Sequence, residues 1–346
     1  MSQEKTASFP KFLKSSLLLV VFGLLIIQTG YAKDPVEGEA FDPSEMINHH
    51  IMDSHSWEIF HGLSLHLPVI IYSEEKGLDI FSSSNFYNEA HEVVPFNGYV
   101  MEHEHIALES GAHVLDFSIT KNVFFLFINA LVMIMIFMAV ARGYKKNAGR
   151  APRGIQSFFE PIIIYVRDEI VKPNIGPKYE RYLPYLLTLF FFIWFGNLLG
   201  LLPAAANLTG NIAVTLILAV ASLVITLASG RKTYWMHILD PLGNSMGWLA
   251  KFPLYLILWP IEIIGIFTKP FSLMVRLFAN ITAGHIIILS ILSLTFIAQS
   301  FAVGVAATLF AAVMNLLELF VALLQAYVFT LLSSMYFGQA VEEHHH

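Results

Sequence analysis

"FSLMVRLFANITAGH", residues 271–285, places an arginine, an asparagine and a histidine inside the most apolar third of the chain. From residue 277 to residue 317 there is no Asp, Glu, Lys or Arg. The stretch belongs to an apolar segment over residues 252–296, and a second such segment covers residues 301–337. At ~1.5 Å rise per residue, helices of that length reach roughly 60 Å, twice the ~30 Å hydrocarbon core of a bilayer. No turn cluster cuts the second segment, and Pro253, Pro260 and Pro270 all precede the arginine of the first. The reading is two long, strongly tilted, antiparallel helices joined near residues 298–300.

Working outward, residues 123–141 form a charge-free span, residues 183–202 a second and residues 211–229 a third. Residues 155–171 are amphipathic. Phe158, Phe159, Ile162, Ile163 and Val166 lie on one side, and Glu160, Arg167, Asp168 and Glu169 on the other, which predicts a helix along the membrane interface. Pro173 and Pro177 are expected to end it. The fold class is thus an all-α polytopic membrane protein of about five crossing helices plus an interfacial helix, with a small exported N-terminal domain. The composition agrees. The chain is 56% hydrophobic, 13% charged and has a mean hydropathy of +0.63, values outside the range of soluble enzymes. It has no cysteine, which excludes disulfides and thiolate metal sites.

Two signals set orientation. Arg142, Lys145, Lys146, Arg150 and Arg153 follow the first span and mark its cytoplasmic end. Lys5, Lys11 and Lys14, an apolar core at residues 17–27 and the small residues of Gly30-Tyr31-Ala32 read as a signal peptide over residues 1–32. An uncleaved anchor is the competing reading. Both put residues 33–116 on the exported, periplasmic side of a bacterial inner membrane. That domain holds 16 Asp or Glu, two Lys and nine of the 14 histidines, and residues 67–72 read as a strand or buried patch. Residues 117–342 form the membrane domain with a cytoplasmic C-terminus, and residues 343–346 a His-rich tail.

The polar residues of the two long helices are Glu262, Lys269, Arg276, Asn280, His285, Glu318 and Gln325. Ionisable groups at membrane depth are rare and mark functional positions, the bland alternative being a satisfied structural pair or a snorkelling side chain. Lys269, beside Pro270, suits the bland reading. Arg276 does not, because a guanidinium cannot shed its proton to become cheaper. At 100° per residue, Glu262, Lys269 and Asn280 fall within about 40° of Arg276, whereas His285 lies about 180° away. Glu318 and Gln325 share a face of the last helix. His285 is then set against Glu318, and Arg276 is left needing a carboxylate from another subunit.

"KPFSLMVRLFANITAGHIII" resembles the signature of the a subunit of the F-type ATP synthase, the stator protein beside the rotating proteolipid ring. The likeness continues in "GNLLGLLP" (residues 196–203), "TGNIAVTL" (residues 209–216) and "LLQAYVFTLLSSMYF" (residues 323–337), covering roughly residues 120–340. The resemblance implies that Arg276 faces the ring's essential carboxylate and separates two aqueous half-channels, with Gln325 close to it. It places Asn280, His285 and Glu318 on the outer proton path and Glu262 near the inner one. Some bacterial members carry Glu on the arginine helix and His on the last; here His285 and Glu318 are reversed. The implied partners are the c-ring, b-type peripheral stalk subunits, the rest of the complex and membrane lipid. No cofactor, resident metal or nucleic acid is implied, and the chain is a non-catalytic subunit of the complex. It carries no phosphate-binding loop.

The runner-up is a secondary transporter or ion channel, but no self-similar halves occur. An intramembrane protease would need an Asp pair, a Ser–His pair or HExxH, and "HEVVP" (residues 91–95) lacks the second His. His49, His50, His55 and the alternation Glu102-His103-Glu104-His105 raise a metal reading, but their spacing fixes no cage. A solvated acidic face, or a negative cap gathering cations at a channel mouth, explains them as well.

Overall fold

A computed structural model of the chain describes residues 44, 52–60, 63–88, 93–102, 104–202, 205–240 and 248–342. The expected signal peptide, His49, His50, His103 and the terminal histidines lie outside the described residues.

The acidic region is built from short antiparallel strands. β1 (Ser56–Phe60) pairs β2 (Leu63–His66), β5 (Tyr99–Glu102) pairs β6 (His105–Leu108), and β3 (Pro68–Ser73) lies between β4 (Gly77–Ser82) and β7 (Val114–Asp116). Alternation along a strand sends neighbouring side chains to opposite faces. Val69 and Ile71 of β3 are therefore fully buried, with Phe86, Tyr99, Met101, Ile106 and Leu108, in a core of their own. The strand expected at residues 67–72 is the centre of this sheet.

His55, just before β1, is buried and fastens the domain. Its Nε2 lies 3.2 Å from Asp116 Oδ2 at the end of β7, and its backbone N–H donates to Glu104 Oε2 at 3.0 Å. Its Nδ1 is 3.5 Å from the same Glu104 oxygen, an ionic contact rather than a hydrogen bond. Burial alone would lower the imidazole pKa, but the Asp116 hydrogen bond and the nearby carboxylates of Asp116 and Glu104 outweigh it and push the pKa up to about 9. Burial likewise pushes the Asp116 carboxyl up, but its hydrogen bonds to His55 and Ser118 leave it below the ordinary value. The sign follows. His55 stabilises the domain fully below its unfolded value of 6.5 and loses that contribution as pH rises through about 9, a change on the order of 3 kcal/mol. Asp116 loses its own contribution only in acid. Amide protection factors of β1 and β7 in the full chain are expected to fall between pH 7 and pH 10. In His55→Gln they are expected to be low throughout and flat.

Among the described residues seven α-helices longer than a single turn follow. α1 (Lys121–Lys146), α3 (Tyr179–Gly200), α4 (Ile212–Ser229), α6 (Trp248–Ala298) and α7 (Phe301–Val341) are the long ones; α2 (Ile155–Tyr165) and α5 (Lys232–Leu239) are short. Among the described residues five helical segments are long and apolar enough to cross a membrane: α1, the run from α2 through α3, then α4, α6 and α7. α2 continues through a π-turn at Val166–Val171 and one more α-turn to Ile175, so Pro173 sits in the first turn of that segment instead of ending the helix. The break falls at Gly176, whose φ of +73° suits a residue without Cβ. α3 stops at Gly200, two residues before the expected end. Asn211 caps α4, its side chain accepting the Ala213 N–H at 2.9 Å.

α6 has 51 residues and α7 has 41, so at ~1.5 Å per residue both greatly exceed a ~30 Å hydrocarbon core. Gln299 and Ser300 join them, Gln299 taking a φ of +44°. Contacts of Gly304 with Thr295, of Glu318 with His285 and of Gln339 with Lys269 fix the pair as an antiparallel hairpin.

The described contacts divide the chain into two compact units. One holds the strands up to Lys121 with residues 200–206 and 284–318; the other holds residues 122–199, 207–283 and those after 318. The core of the second is aromatic: Phe137 meets Phe191 at 4.7 Å between ring centroids, and Phe159 meets Phe191 at 5.8 Å. Leu273, Leu277, Ala326, Phe329 and Phe337 bring α6 and α7 into the same cluster.

Candidate functional site

His285 and Glu318, on the two arms of the hairpin, are in direct contact. Nδ1 of the imidazole lies 2.6 Å from Glu318 Oε1, and Nε2 lies 3.2 Å from the Gly200 carbonyl oxygen. A carbonyl only accepts, so Nε2 must carry a hydrogen. That leaves Nδ1 and Oε1 to hold a single proton between them, either as imidazolium and carboxylate or as imidazole and carboxylic acid. Glu318 is 3% exposed, and its Oε2 has no hydrogen-bond partner among the described residues. A buried carboxylate oxygen left without a donor is costly, which favours a proton or a water molecule arriving there.

Gly284 permits this approach. A Cβ at residue 284 would lie 2.9 Å from Glu318 Oε1 and 3.2 Å from its carboxyl carbon. Gly284 and the Gly200 carbonyl were not anticipated from the sequence. The signal for the first was the small residue directly before the histidine in "TAGH"; a backbone acceptor such as Gly200 gives none. Gly284→Ala displaces the carboxylate from the imidazole. The loss of contact is expected to show as a change in the 15N shifts of the His285 imidazole in the variant.

Arg276 belongs to the other unit. It is half-buried on α6, and among the described residues it forms neither an ion pair nor a hydrogen bond; Tyr336 of α7 is near enough to feel its charge. Asn280, one turn on, is exposed. Gln325 is buried at 5% exposure without a side-chain hydrogen bond among the described residues. Glu262 is half-buried and lies within electrostatic reach of Tyr234. Lys269 is satisfied: its ammonium donates to Gln339 Oε1 at 3.1 Å and sits 5.4 Å from the centroid of the Tyr336 ring. That matches the bland reading of Lys269. The four-residue stripe therefore includes one pinned lysine, and the arginine keeps its charge uncompensated by a carboxylate.

Two of the quoted motifs meet as a buried polar lock. Thr209 of "TGNIAVTL" donates its hydroxyl to Asn197 of "GNLLGLLP", and Asn197 in turn donates to the Ala322 carbonyl on α7 at 3.4 Å. Gly196 lets the Asn129 amide and Leu208 come within 3.4 Å of where its Cβ would stand, and Asn129 donates to the Phe192 carbonyl at 3.1 Å. A second group joins Tyr185, Ser222 and Ser333, with the Tyr185 and Ser222 hydroxyls 3.1 Å apart. Among the described residues no group of three or more His, Asp or Glu is arranged to hold a metal ion.

The fold and the residues within it define a multi-pass helical membrane protein that keeps ionisable groups in its longest apolar helices. The chain belongs to the ATP synthase A chain family, whose sequence profile matches residues 123–338. ATP synthase subunit a 2 of Chlorobaculum tepidum is 44% identical over 78% of this chain and 74% of its own length. ATP synthase subunit a of Chloroherpeton thalassium is 42% identical over 67% of this chain and 69% of its own. ATP synthase subunit a of Chlorobium phaeobacteroides is 36% identical over 99% of this chain and 97% of its own. The acidic extension therefore has a counterpart in at least one relative. Residues 46–122 separately match a domain of unknown function, DUF8433.

Proposed function

We propose that this chain is the proton-translocating stator subunit of an F-type ATP synthase, working against a c-ring and held by b-type stalk subunits in a bacterial inner membrane. Family membership supports the stator role. The observation that supports the proton path is the 2.6 Å contact of His285 Nδ1 with Glu318 Oε1, backed by the Gly200 carbonyl 3.2 Å from Nε2. In this reading a proton reaches that couple from the exported side, passes by way of Asn280 to a ring carboxylate, and leaves near Glu262 after nearly a full revolution. Arg276 stands between the two paths with Gln325 beside it. Its positive charge lowers the pKa of an approaching carboxyl by about 1 to 3, so each ring site gives up its proton before passing. A membrane potential contributes ~2.3 kcal/mol per proton per 100 mV, so several protons per ATP suffice for synthesis.

The orientation follows the positive-inside bias: acidic domain outside, C-terminus inside. The test is isolation through an affinity tag on this chain. Co-purification of a ring of small hairpin subunits, and ATP-driven acidification of vesicles that hold the complex, is the expected result. A chain recovered free of such a ring, catalysing substrate exchange by itself, would favour the transporter reading.

A further inference from the structure

We infer that the outer face of the β4–β3–β7 sheet is a lipid-docking surface, resting on the headgroup and upper acyl layer of the membrane that α1 enters.

The strand register separates two unlike faces. On the inner face Asp79, Ile71 and Asp116 lie side by side. Both acids there are engaged: Asp79 accepts the Tyr99 hydroxyl at 2.7 Å, and Asp116 faces His55. On the outer face Tyr72 stands between Leu78 and Leu115, flanked by Ile80 and Phe117. These five side chains are 45%, 61%, 47%, 66% and 63% exposed, respectively. β4 thus inverts the usual arrangement, turning an aspartate inward and two aliphatic residues outward. A contiguous apolar patch of this kind marks a contact surface.

The charge distribution points to lipid as the occupant. Residues 33–116 carry 16 acids against two lysines, so most of the domain is repelled by an anionic headgroup layer. Among the described residues, the outer face of this sheet carries no charged strand position. Its make-up, aliphatic side chains with a tyrosine and a phenylalanine, is that of residues at a membrane interface.

Covalent continuity supplies the position. The pairing of β7 does not stop at Asp116. Phe117 N–H donates to the Ile70 carbonyl at 2.8 Å, Ile119 N–H to the Pro68 carbonyl at 3.1 Å, and Lys121 N–H to the Ser54 carbonyl at 2.8 Å. Lys121 is the first residue of α1, which is charge-free from residue 123. Phe117 is at most ~20 Å of chain from residue 123, and the route is shorter where the chain is helical. An apolar face fastened that close to a spanning helix is within reach of the interfacial layer, whichever leaflet α1 enters.

The test places the photo-crosslinker p-benzoylphenylalanine singly at Ile80 and at Phe117 in the assembled complex in its native membrane. Ala107, exposed on β6, serves as the aqueous control, and Phe127, 56% exposed on α1, as the lipid control. After irradiation, adducts are identified by mass spectrometry. Phospholipid adducts at Ile80, Phe117 and Phe127 but not at Ala107 are expected. Lipid adducts at Phe127 alone would overturn the inference. So would cross-links from Ile80 and Phe117 to another protein subunit, which would reassign the face to a protein partner.

Discussion

Arg276→Ala is expected to abolish ATP-driven proton pumping while the complex still assembles. The guanidinium is half-buried and touches no carboxylate or hydrogen-bond acceptor among the described residues, so its removal leaves no orphaned partner and no broken lock in this chain. Leu273 and Leu277, which pack the same turn of α6 into the core, are untouched. The loss is therefore electrostatic. A positive charge within a few ångström lowers a carboxyl pKa by about 1 to 3, so without it the ratio of ionised to protonated ring acid falls by ~10- to 1000-fold. On the proposed mechanism deprotonation is then no longer enforced, and protons are expected to cross between the two paths without turning the ring. Dye quenching in proteoliposomes reads the pumping, and co-purification of the ring reads assembly. Coupled pumping at the wild-type rate in Arg276→Ala would remove the arginine from the mechanism. Arg276→Lys keeps a charge but loses the planar fork, and is expected to recover little.

Glu318→Gln is the second large effect. Glutamine preserves the shape of the side chain and can still hydrogen-bond His285 Nδ1, so the hairpin keeps its contact. It cannot take up or release a proton. With Nε2 committed to the Gly200 carbonyl, the couple then has one titrating member in place of two. Positioned proton-transfer groups contribute about 10² to 10⁴ in rate, so pumping is expected to fall by about 10²-fold with assembly intact. Equal rates for the wild type and the variant across pH 6 to 9 (a range that begins just below the ordinary ~6.5 of imidazole) would refute a relay through this pair.

The long elements were legible because they are long. Charge-free runs at residues 123–141 and 211–229, and two apolar segments too long for one perpendicular crossing, give α1, α4, α6 and α7 to within a few residues. The facing of His285 and Glu318 was also legible, since angular separation on α6 sets His285 apart from the Arg276 stripe. What closes the site was not. The acceptor for His285 Nε2 is a backbone carbonyl at the end of α3, and Gly284 matters only through the carboxylate that a Cβ would strike. Neither has a side-chain signature. Of the two prolines expected to end α2, Pro173 does not, because proline is tolerated in the first turn of a helix; the run breaks at Gly176, directly before Pro177. The β-sheets of the acidic domain were largely invisible for a different reason. Their strands are three to six residues long, and β4 turns its aspartate inward and its aliphatic residues outward, so hydrophobic alternation misreports which face is buried.

The central claim is that His285 and Glu318 act as one proton-holding unit, with identity shared between the two arms of the hairpin. The most direct measurement is ATP-driven pumping by the exchanged variant, His285→Glu with Glu318→His, beside the two single substitutions. Each single change places two like groups together and is expected to reduce pumping severely. The exchange restores one imidazole and one carboxylate in contact, and is expected to recover a substantial part of the wild-type rate. A doubly exchanged complex no more active than the poorer single variant would show that the two residues do not act as a couple.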